Sequence, residues 1–522
     1  MNDLPILTIL TFLPVVGSSF ILFMRDGLSG LNRLTALGTS LIALVITIAL
    51  WLNFDGANSG YQFEQRLSWI PTIGVEYHVG VDGLGMAMVL LTGLLVPFAL
   101  FVSPGGEGRG YYSLVLFLQA GLFGTFTALN FVHWFVFWEL ALIPAFFLIK
   151  GWGGRLADRA ALQFFIYTMV GSIALLLAFL ALFLAAGRLE LVQPFGFAAL
   201  AEAAQSGQIA PALAVSLQLF ETFSTEQGLM QFIFCLSLLG FAVKLPIWPF
   251  HTWLPATYTE APTPVTMLLT GAMSKMGAYG LLRILLPIFP REIMALQTPL
   301  LWLAIASVVL GAAAALRQSD LKRILAYSSV NHLGYVALAV FASVSYMVDE
   351  GAALAERSAA LNGAVLQMFN HGITAAALFG FVSLIERRAG GLRGLDDFGG
   401  LRKVAPVFTG LFGISLFASL GLPGLNGFVG EFLIFKGVFA LKAWAAVFAL
   451  PGLLLTAWLL LNVLQRVFSG PLNERWKEFP DLTPRELWIM IPPTALMFAL
   501  GIWPQWLLGK LNETLKALAA VL

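Results

Sequence analysis

Charged residues are scarce in this chain of 522 residues. Lysine, arginine, aspartate and glutamate together make up 11% of the sequence, whereas 59% of it is hydrophobic. A soluble globular chain carries about 25% charged residues, because its surface faces water. The composition therefore excludes a soluble enzyme as the main interpretation and indicates a polytopic membrane protein.

Cysteine is almost absent, and the histidines lack the spacing of metal ligands. Cys235 is the single cysteine, which excludes a disulfide scaffold and cannot alone hold an iron–sulfur cluster or a structural zinc. The five histidines show no His-x-x-x-His or Glu-x-x-His pattern, so no metal site is expected. The net charge of +1 argues against binding to nucleic acid.

Long apolar runs are what the sequence has instead. A helix needs about 20 apolar residues to cross a bilayer. Runs of this kind predict an all-α polytopic membrane protein with about fourteen transmembrane helices. The predicted spans are 5–24, 31–53, 83–102, 111–129, 131–150, 161–187, 229–255, 262–287, 297–316, 323–345, 359–384, 404–438, 442–468 and 486–508.

The basic residues between these spans are unevenly distributed. If the odd-numbered connections are cytoplasmic, they contain eighteen lysines and arginines, whereas the even-numbered connections and the C-terminal tail contain seven. Cytoplasmic loops of membrane proteins are enriched in lysine and arginine. The sequence therefore predicts fourteen spans with both termini outside. The longest connection, about 188–228, is acidic and is expected to lie outside as well.

Four ionisable residues lie inside predicted spans. Glu139, Lys244, Lys275 and Glu431 each have apolar residues on both sides for a turn or more. Placing one charge near the middle of a bilayer costs about 2.5–3.5 kcal/mol. These side chains should therefore form pairs, face water inside the protein or exchange protons, and the last possibility makes them candidate proton carriers.

Each of the four also has a purely structural interpretation. Glu139 and Lys244 could form an ion pair that only joins two helices. Lys275 could reach the membrane surface from a helix end, although it lies about thirteen residues into its run. Glu431 could cap a broken helix.

Three histidines, Asp82 and Arg283 are weaker candidates. His251, His332 and His371 could be buried neutral side chains bonded to hydroxyl groups, or stations of a proton relay, since histidine titrates closest to neutral pH. Arg283 is expected to extend to the membrane interface, and Asp82 to cap the helix that it precedes.

Two long apolar runs are interrupted by proline. Pro246 follows Lys244 closely, and Pro423 precedes Glu431. Paired broken helices in corresponding places are typical of transporters with inverted repeats, although two unrelated kinks are the alternative. We therefore predict two inverted five-helix repeats, each containing a broken helix. The predicted regions are 1–110 with three helices, 111–290 as the first repeat with spans 4–8, 291–470 as the second repeat with spans 9–13, and 471–522 with span 14.

Five sequence segments carry a resemblance to a known family. They are FWELALIPAFFLIKGWGG, KLPIWPFHTWLP, SKMGAYGLLR, DLKRILAYSSVNHLGYV and LPGLNGFVGEF. In this order they resemble the antiporter-like membrane subunits of the proton-pumping NADH:quinone oxidoreductase, respiratory complex I, and most closely the chain M, or subunit 4, type. The resemblance is clearest over residues 80–470, and the combination of motifs is highly specific.

The resemblance implies roles for the buried ionisable residues in proton translocation. Glu139 matches the family's fifth-helix glutamate, Lys244 its seventh-helix lysine and Lys275 its eighth-helix lysine. Glu431 matches a twelfth-helix position that is usually lysine in the sister chains L and N, and this favours the M type. The family's proton-relay histidines would be His251, His332 and His371.

The resemblance also implies partners and cofactors. Chains L and N would lie on either side, with a lateral helix of chain L alongside, in a bacterial inner membrane. The chain itself would bind no cofactor, since NAD, FMN, iron–sulfur clusters and quinone belong to the parent complex. It would thus be a subunit of a proton-translocating enzyme without a redox site of its own. Alternatives are a subunit of a multi-protein sodium/proton antiporter, a hydrogenase- or ferredoxin-linked membrane complex, or a structural membrane scaffold.

Overall fold

The N-terminal region combines helices with a small sheet. The computed structural model describes residues 4–25, 27–217, 225–345 and 350–522. The first elements are α1 (Ile6–Phe23), α2 (Ser29–Asn53), β1 (Gln62–Ile70), β2 (Val75–Val81) and α3 (Gly83–Val102). The two strands pair antiparallel, with Arg66 opposite His78. This hairpin adds a small β element to the all-α fold that the sequence predicts.

The next part of the chain contains ten helices in its described residues. They are α4 (Arg109–Thr127), α5 (Phe131–Leu140), α6 (Leu142–Trp152), α7 (Ala157–Arg188), α8 (Phe197–Gln205), α9 (Ile209–Leu217), α10 (Glu226–Lys244), α11 (Trp253–Glu260), α12 (263–288) and α13 (Pro290–Ala295). The predicted outer connection 188–228 thus contains the two short helices α8 and α9.

The C-terminal half begins with α14. Its helices are α14 (Gln297–Leu316), α15 (Leu321–Ser343), α16 (Glu350–Arg388), α17 (Pro406–Ser419), α18 (Asn426–Leu441), α19 (Ala443–Val463), α20 (Pro484–Ile502) and α21 (Gln505–Ala520). Short 3₁₀ turns cover Pro71–Ile73, Leu395–Asp397, Leu401–Lys403 and Glu474–Trp476. The described ranges contain three π-helical stretches, at Leu269–Met273 and Leu281–Leu285 within α12 and at Leu464–Phe468 after α19.

Eleven helices in the described residues are long and apolar enough to cross a membrane. They include α5 and α6 taken together, and α19 with its π-helical end. The other predicted spans correspond to α4, to α12 and to the broken pair α17 and α18. The chain is therefore a mostly helical, multi-pass membrane protein, and the count of fourteen spans and the two repeats stay predictions.

Both predicted helix breaks lie where proline interrupts an apolar run. Helix α10 ends at Lys244, and α11 begins at Trp253. Helix α17 ends at Ser419, and α18 begins at Asn426. Proline lacks the backbone N–H that would continue a helix. In the second break, Gly424 has a φ of +93°, which few other residues adopt readily.

The most deeply buried helices are α3, α12, α15 and α16. Helix α16 packs against α3, α12, α15 and α18, and the apolar window of α16 lies wholly inside the protein. By contrast, less than half of the apolar window is buried in α1, α2, α19 and α20, as in helices that face lipid. Polar side chains on α12, α15 and α16 therefore meet one another in the interior, away from lipid.

Candidate functional site

Lys244 and Glu139 approach each other without direct contact. Lys244 ends α10, and its Nζ donates a hydrogen bond of 3.1 Å to the carbonyl of Trp138, whose ring centroid lies 4.1 Å away. Glu139 directly follows Trp138 along the chain. No N–O distance of 4 Å or less joins the two side chains, both of which lie in the described residues. Glu139 Oε1 is buried without a hydrogen-bond partner in that part of the chain.

Lys275 is completely buried in α12. Its Nζ donates a hydrogen bond of 2.5 Å to the carbonyl of Thr270 and lies 2.6 Å from Nδ1 of His371. The two π-helical stretches of α12 lie on either side of it. Such stretches widen a helix and often mark functional sites. Because α16 carries His371, this contact joins the two halves of the chain.

His371, His332 and Glu431 continue the row that begins at Lys275. The rings of His371 and His332 are 5.4 Å apart between centroids. His332 Nδ1 lies 3.4 Å from Glu431 Oε1, and His332 Nε2 lies 3.0 Å from the hydroxyl of Ser419. The structure therefore brings four of the predicted site residues into one buried row, called here the central row: Lys275, His371, His332 and Glu431.

A proton that passed from Lys275 to Glu431 would leave the total charge of the central row unchanged. A protonated Lys275 with an ionised Glu431 has no net charge, and neither has a neutral Lys275 with a protonated Glu431. Since isolated charges are costly in a buried site, a transfer that keeps the total at zero is the arrangement that this environment tolerates best.

A small cavity lies beside the row. His332, His371, Gln367 and Glu431 are among its lining residues. Nε2 of His371 and Oε1 of Gln367 are buried without a partner in the described part of the protein. The cavity has room for about one water molecule. Such a water would satisfy these two atoms and shorten the path from His371 to Glu431.

Sequence reasoning missed the polar residues that hold the row in place. Gln367 Nε2 lies 3.4 Å from both His332 Nδ1 and Glu431 Oε1. Asn370 donates a hydrogen bond of 2.6 Å to the carbonyl of Asn426, the first residue of α18. These residues recur at helical spacing along an otherwise apolar span, a pattern that could have revealed one polar face of α16.

The first broken helix contacts α12, but no hydrogen bond in the described residues connects Lys244 to the central row. Gly277, two residues after Lys275, faces the backbone of Leu245, the residue that follows Lys244. The break therefore packs directly on α12. No hydrogen bond joins Lys244 to Lys275, although the structure describes both residues, so a proton would need water to pass between them.

Replacing Gly277 by alanine is expected to destabilise this contact. The added Cβ would lie 2.6 Å from the backbone nitrogen of Leu245. A backbone atom cannot rotate away, and overpacking of this kind costs about 1–3 kcal/mol. Thermal denaturation of the purified protein should show a lower melting temperature. Gly410→Ala is the matched control, because a Cβ at Gly410 would meet nothing within 4 Å; an equal loss in both variants would contradict the close approach.

His251 lies apart from the row. Its ring is 6.3 Å from that of Tyr327 between centroids, and its Nδ1 is buried without a partner among the residues described. It lies within the first break, two residues before α11 begins at Trp253. The contacts of the described residues do not connect it to Lys244 or Lys275, so its relay role stays a prediction.

A buried ion pair between Asp82 and Arg283 was not expected from the sequence. Asp82 caps α3, as predicted, by accepting a hydrogen bond of 3.0 Å from the backbone of Gly85. It also accepts one from Arg283, whose side chain is only 11% exposed. The expectation that Arg283 extends to the membrane interface is therefore wrong: its guanidinium donates to Asp82 and to the hydroxyls of Tyr279 and Tyr61.

Known proteins are similar to the chain in sequence over nearly its whole length. NADH-quinone oxidoreductase subunit M of Rhodobacter capsulatus is 34% identical over 506 residues, covering 96% of this chain and 93% of the relative. F(420)H(2) dehydrogenase subunit M of Methanosarcina mazei is 35% identical over 532 residues, with 99% of both chains covered. Relatives named for two different electron donors are thus about equally similar.

Solved structures show the same architecture. A chain of respiratory complex I from Thermus thermophilus with bound NADH has a TM-score of 0.83 at 26% identity, and 99% of each chain is covered. A chain of the Mrp complex from Dietzia sp. has a TM-score of 0.74 at 21% identity, covering 98% of this chain and 95% of that one, and shares the fold alone.

The family comparison covers the helices that form the site. The transmembrane family described as "NADH:quinone oxidoreductase/Mrp antiporter, TM" matches residues 128–456. This range includes Glu139, Lys244, Lys275 and Glu431. The match spans more than half of the chain, and the relatives align over nearly all of it. The chain therefore belongs to the NADH:quinone oxidoreductase/Mrp antiporter transmembrane family.

Proposed function

We propose that the chain is the antiporter-like, subunit-M-type membrane subunit of an NADH:quinone oxidoreductase and translocates protons. The observation that carries the proposal is the central row, which joins Lys275 to Glu431 through two histidines in the buried middle of the protein. Burying ionisable groups so deep in a membrane protein costs free energy, and such groups typically mark a path for ions or protons.

The proposed proton path begins at the first broken helix. Lys244 donates a hydrogen bond to the carbonyl of Trp138, the residue next to Glu139, so a shift in the position or protonation of Glu139 would change the proton affinity of Lys244. Lys244 would release its proton towards Lys275 through water molecules between the two side chains. The central row would pass a proton on to Glu431 and then towards the outside. The trigger would be an electrostatic or conformational change transmitted from a neighbouring subunit.

The proposal assigns the redox chemistry to other subunits of an oxidoreductase complex. NAD, FMN, iron–sulfur clusters and quinone would be bound there, and this chain would supply only the proton path. Chains L and N would lie on its two sides in a bacterial inner membrane, with the lateral helix of chain L alongside. The predicted regions 111–290 and 291–470 would each form one half of the path.

A different electron donor is the second candidate. The Methanosarcina mazei relative is named for F(420)H(2) and is as similar to the chain as the Rhodobacter capsulatus subunit. A multi-protein sodium/proton antiporter remains a further alternative because the Mrp complex shares the fold. Identifying the subunits that co-purify with the chain separates these assemblies, since each redox complex brings the subunits that oxidise its own electron donor, whereas a sodium/proton antiporter brings no redox subunit.

Neutral replacement of the first ionisable pair tests the proposal. Glu139→Gln and Lys244→Met are each expected to reduce proton uptake driven by quinone reduction at least about tenfold. Uptake is measured with a pH-sensitive dye in membrane vesicles that contain the complex. Lys150→Met is the matched control, since the Lys150 side chain is 53% exposed and lies 3.9 Å from Asp158. Wild-type uptake in both site variants would overturn the proposed path.

A further inference from the structure

An apolar groove opens towards the lipid beside α20. It is lined by residues of α2, α3, α16 and α20. Leu41, Leu94, Phe98 and Pro492 are among them, and Trp488, which is 81% exposed, forms part of its wall. Tryptophan is enriched at the level of lipid headgroups. The groove therefore has an apolar lining that suits an acyl chain.

A basic pocket adjoins this groove. Arg33, Arg387, Arg485 and Glu486 line it. The two cavities share Phe101, Arg485 and Ile489, and they therefore form one continuous site with an apolar part and a charged part.

The arginines of the basic pocket outnumber its acid, and the acid is already engaged. Glu486 accepts a hydrogen bond of 2.7 Å from Arg388 and another of 2.9 Å from Thr483. Within the described chain, Arg387 and Arg485 make no hydrogen bond or ion pair. Nη2 of Arg33 donates hydrogen bonds to the backbone carbonyls of Leu100, Phe101 and Ser103, which carry no charge that would balance its own. Glu486 and the guanidinium groups of Arg33, Arg388 and Arg485 are the charged groups that act on Arg387. The pocket thus holds uncompensated positive charge.

We propose that this site binds an anionic phospholipid, with its phosphate between Arg33, Arg387 and Arg485 and an acyl chain in the adjoining groove. Arginine is the side chain best suited to phosphate, because its planar guanidinium offers paired donors. Basic pockets between transmembrane helices on the cytoplasmic side bind anionic headgroups. The three arginines lie at the ends of α2, α16 and α20 that adjoin connections 1, 11 and 13, which the distribution of basic residues predicts to be cytoplasmic. The anionic headgroup supplies the charge that the protein lacks there.

Photolabelling of the intact complex tests this site. The complex is reconstituted into vesicles with a phosphatidylglycerol that carries a photoactivatable group in its acyl chain, and labelled peptides are mapped after irradiation. Labelling is expected around Leu41, Phe98 and Trp488. A phosphatidylcholine of the same design should label these segments at least about fivefold less, because its headgroup has no net charge. Equal labelling by the two lipids would overturn the proposal.

Two variants and a control separate headgroup from chain. Arg387→Gln with Arg485→Gln should reduce labelling by phosphatidylglycerol at least about fivefold, since charge-assisted contacts to phosphate are lost. Leu44→Trp should also reduce labelling by phosphatidylglycerol, because the larger side chain would fill the groove. A site that bound only free phosphate would not need the groove. Arg402→Gln with Lys403→Gln removes the same charge from the 3₁₀ turn Leu401–Lys403, whose residues line neither cavity, and should leave labelling unchanged. Wild-type labelling in the first variant would contradict the site.

A protein segment from a neighbouring subunit is the competing occupant. A photoreactive amino acid placed at Trp488 in the complex distinguishes the two cases. Cross-links to phospholipid support the proposal, and cross-links to another subunit overturn it. The readout is independent of pumping, so the lipid site stands or falls separately from the proposed function.

Discussion

Lys275→Met is expected to stop proton transport through this chain. Methionine matches the length of lysine but carries no proton, and the central row would lose its contact with His371 at 2.6 Å. The side chain is completely buried, so bulk water cannot easily replace it. Proton uptake by vesicles containing the complex should fall at least about tenfold, measured by dye quenching while quinone is reduced.

Lys275→Arg separates proton transfer from mere positive charge. Arginine keeps the charge, but its guanidinium does not release a proton at neutral pH. We therefore expect this variant to lose uptake as fully as Lys275→Met. Lys150→Met again serves as the exposed control and should pump normally. If Lys275→Arg retained wild-type uptake, the lysine would act as a fixed charge, and its role as a proton carrier would be wrong.

Glu431→Gln is expected to have the second largest effect. Glutamine preserves the size of the side chain and can still hydrogen-bond to Gln367 and His332, which lie 3.4 Å from the Glu431 carboxylate. It cannot accept and release a proton. Lys275 would also lose the buried negative charge that balances it at the other end of the row. Proton uptake should fall about tenfold or more, with assembly of the complex unchanged.

Glu356→Gln is the control for this variant. Glu356 pairs with Lys436 at 2.7 Å on the exposed side of α18. A surface pair of this kind contributes little to stability, and proton uptake should stay near the wild-type level. Equal uptake in Glu431→Gln and Glu356→Gln would show that proton translocation does not require the carboxyl group of Glu431.

Much of the helical fold could be predicted from the sequence, because crossing a bilayer imposes a simple pattern. The predicted spans 83–102 and 297–316 coincide with α3 and α14. The breaks after Lys244 and Ser419 follow from Pro246 and Pro423, since proline cannot continue a helix. Local chemistry was sufficient for these elements.

Other features depend on contacts that no local pattern specifies. The π-helical stretches around Lys275 occur in a segment that reads as an ordinary apolar span. The hairpin β1–β2 is held partly by long-range contacts, such as the hydrogen bond that the backbone N–H of Leu129 donates to the carbonyl of His78. Arg283 reaches Asp82 across 201 positions of sequence. Long-range pairing of this kind becomes visible only in the folded chain.

The candidate site was predictable in its members and not in its connections. The sequence identifies Lys275, Glu431 and the histidines because polar groups are rare in apolar spans. It does not show that His332 and His371 are adjacent, that Gln367 bridges the end of the row, or that His251 lies apart. These differences arise because α12, α15, α16 and α18 meet at the centre of the protein, and sequence spacing says nothing about which faces meet.

The proton-to-electron ratio of the complex carrying Lys275→Met tests the central claim most directly. Protons taken up and quinone reduced are recorded in the same vesicles, beside the wild-type complex. The account predicts that proton uptake falls at least about tenfold, either through fewer protons per electron or through the joint loss of pumping and quinone reduction. Quinone reduction at the wild-type rate, with the wild-type number of protons per electron, would contradict it.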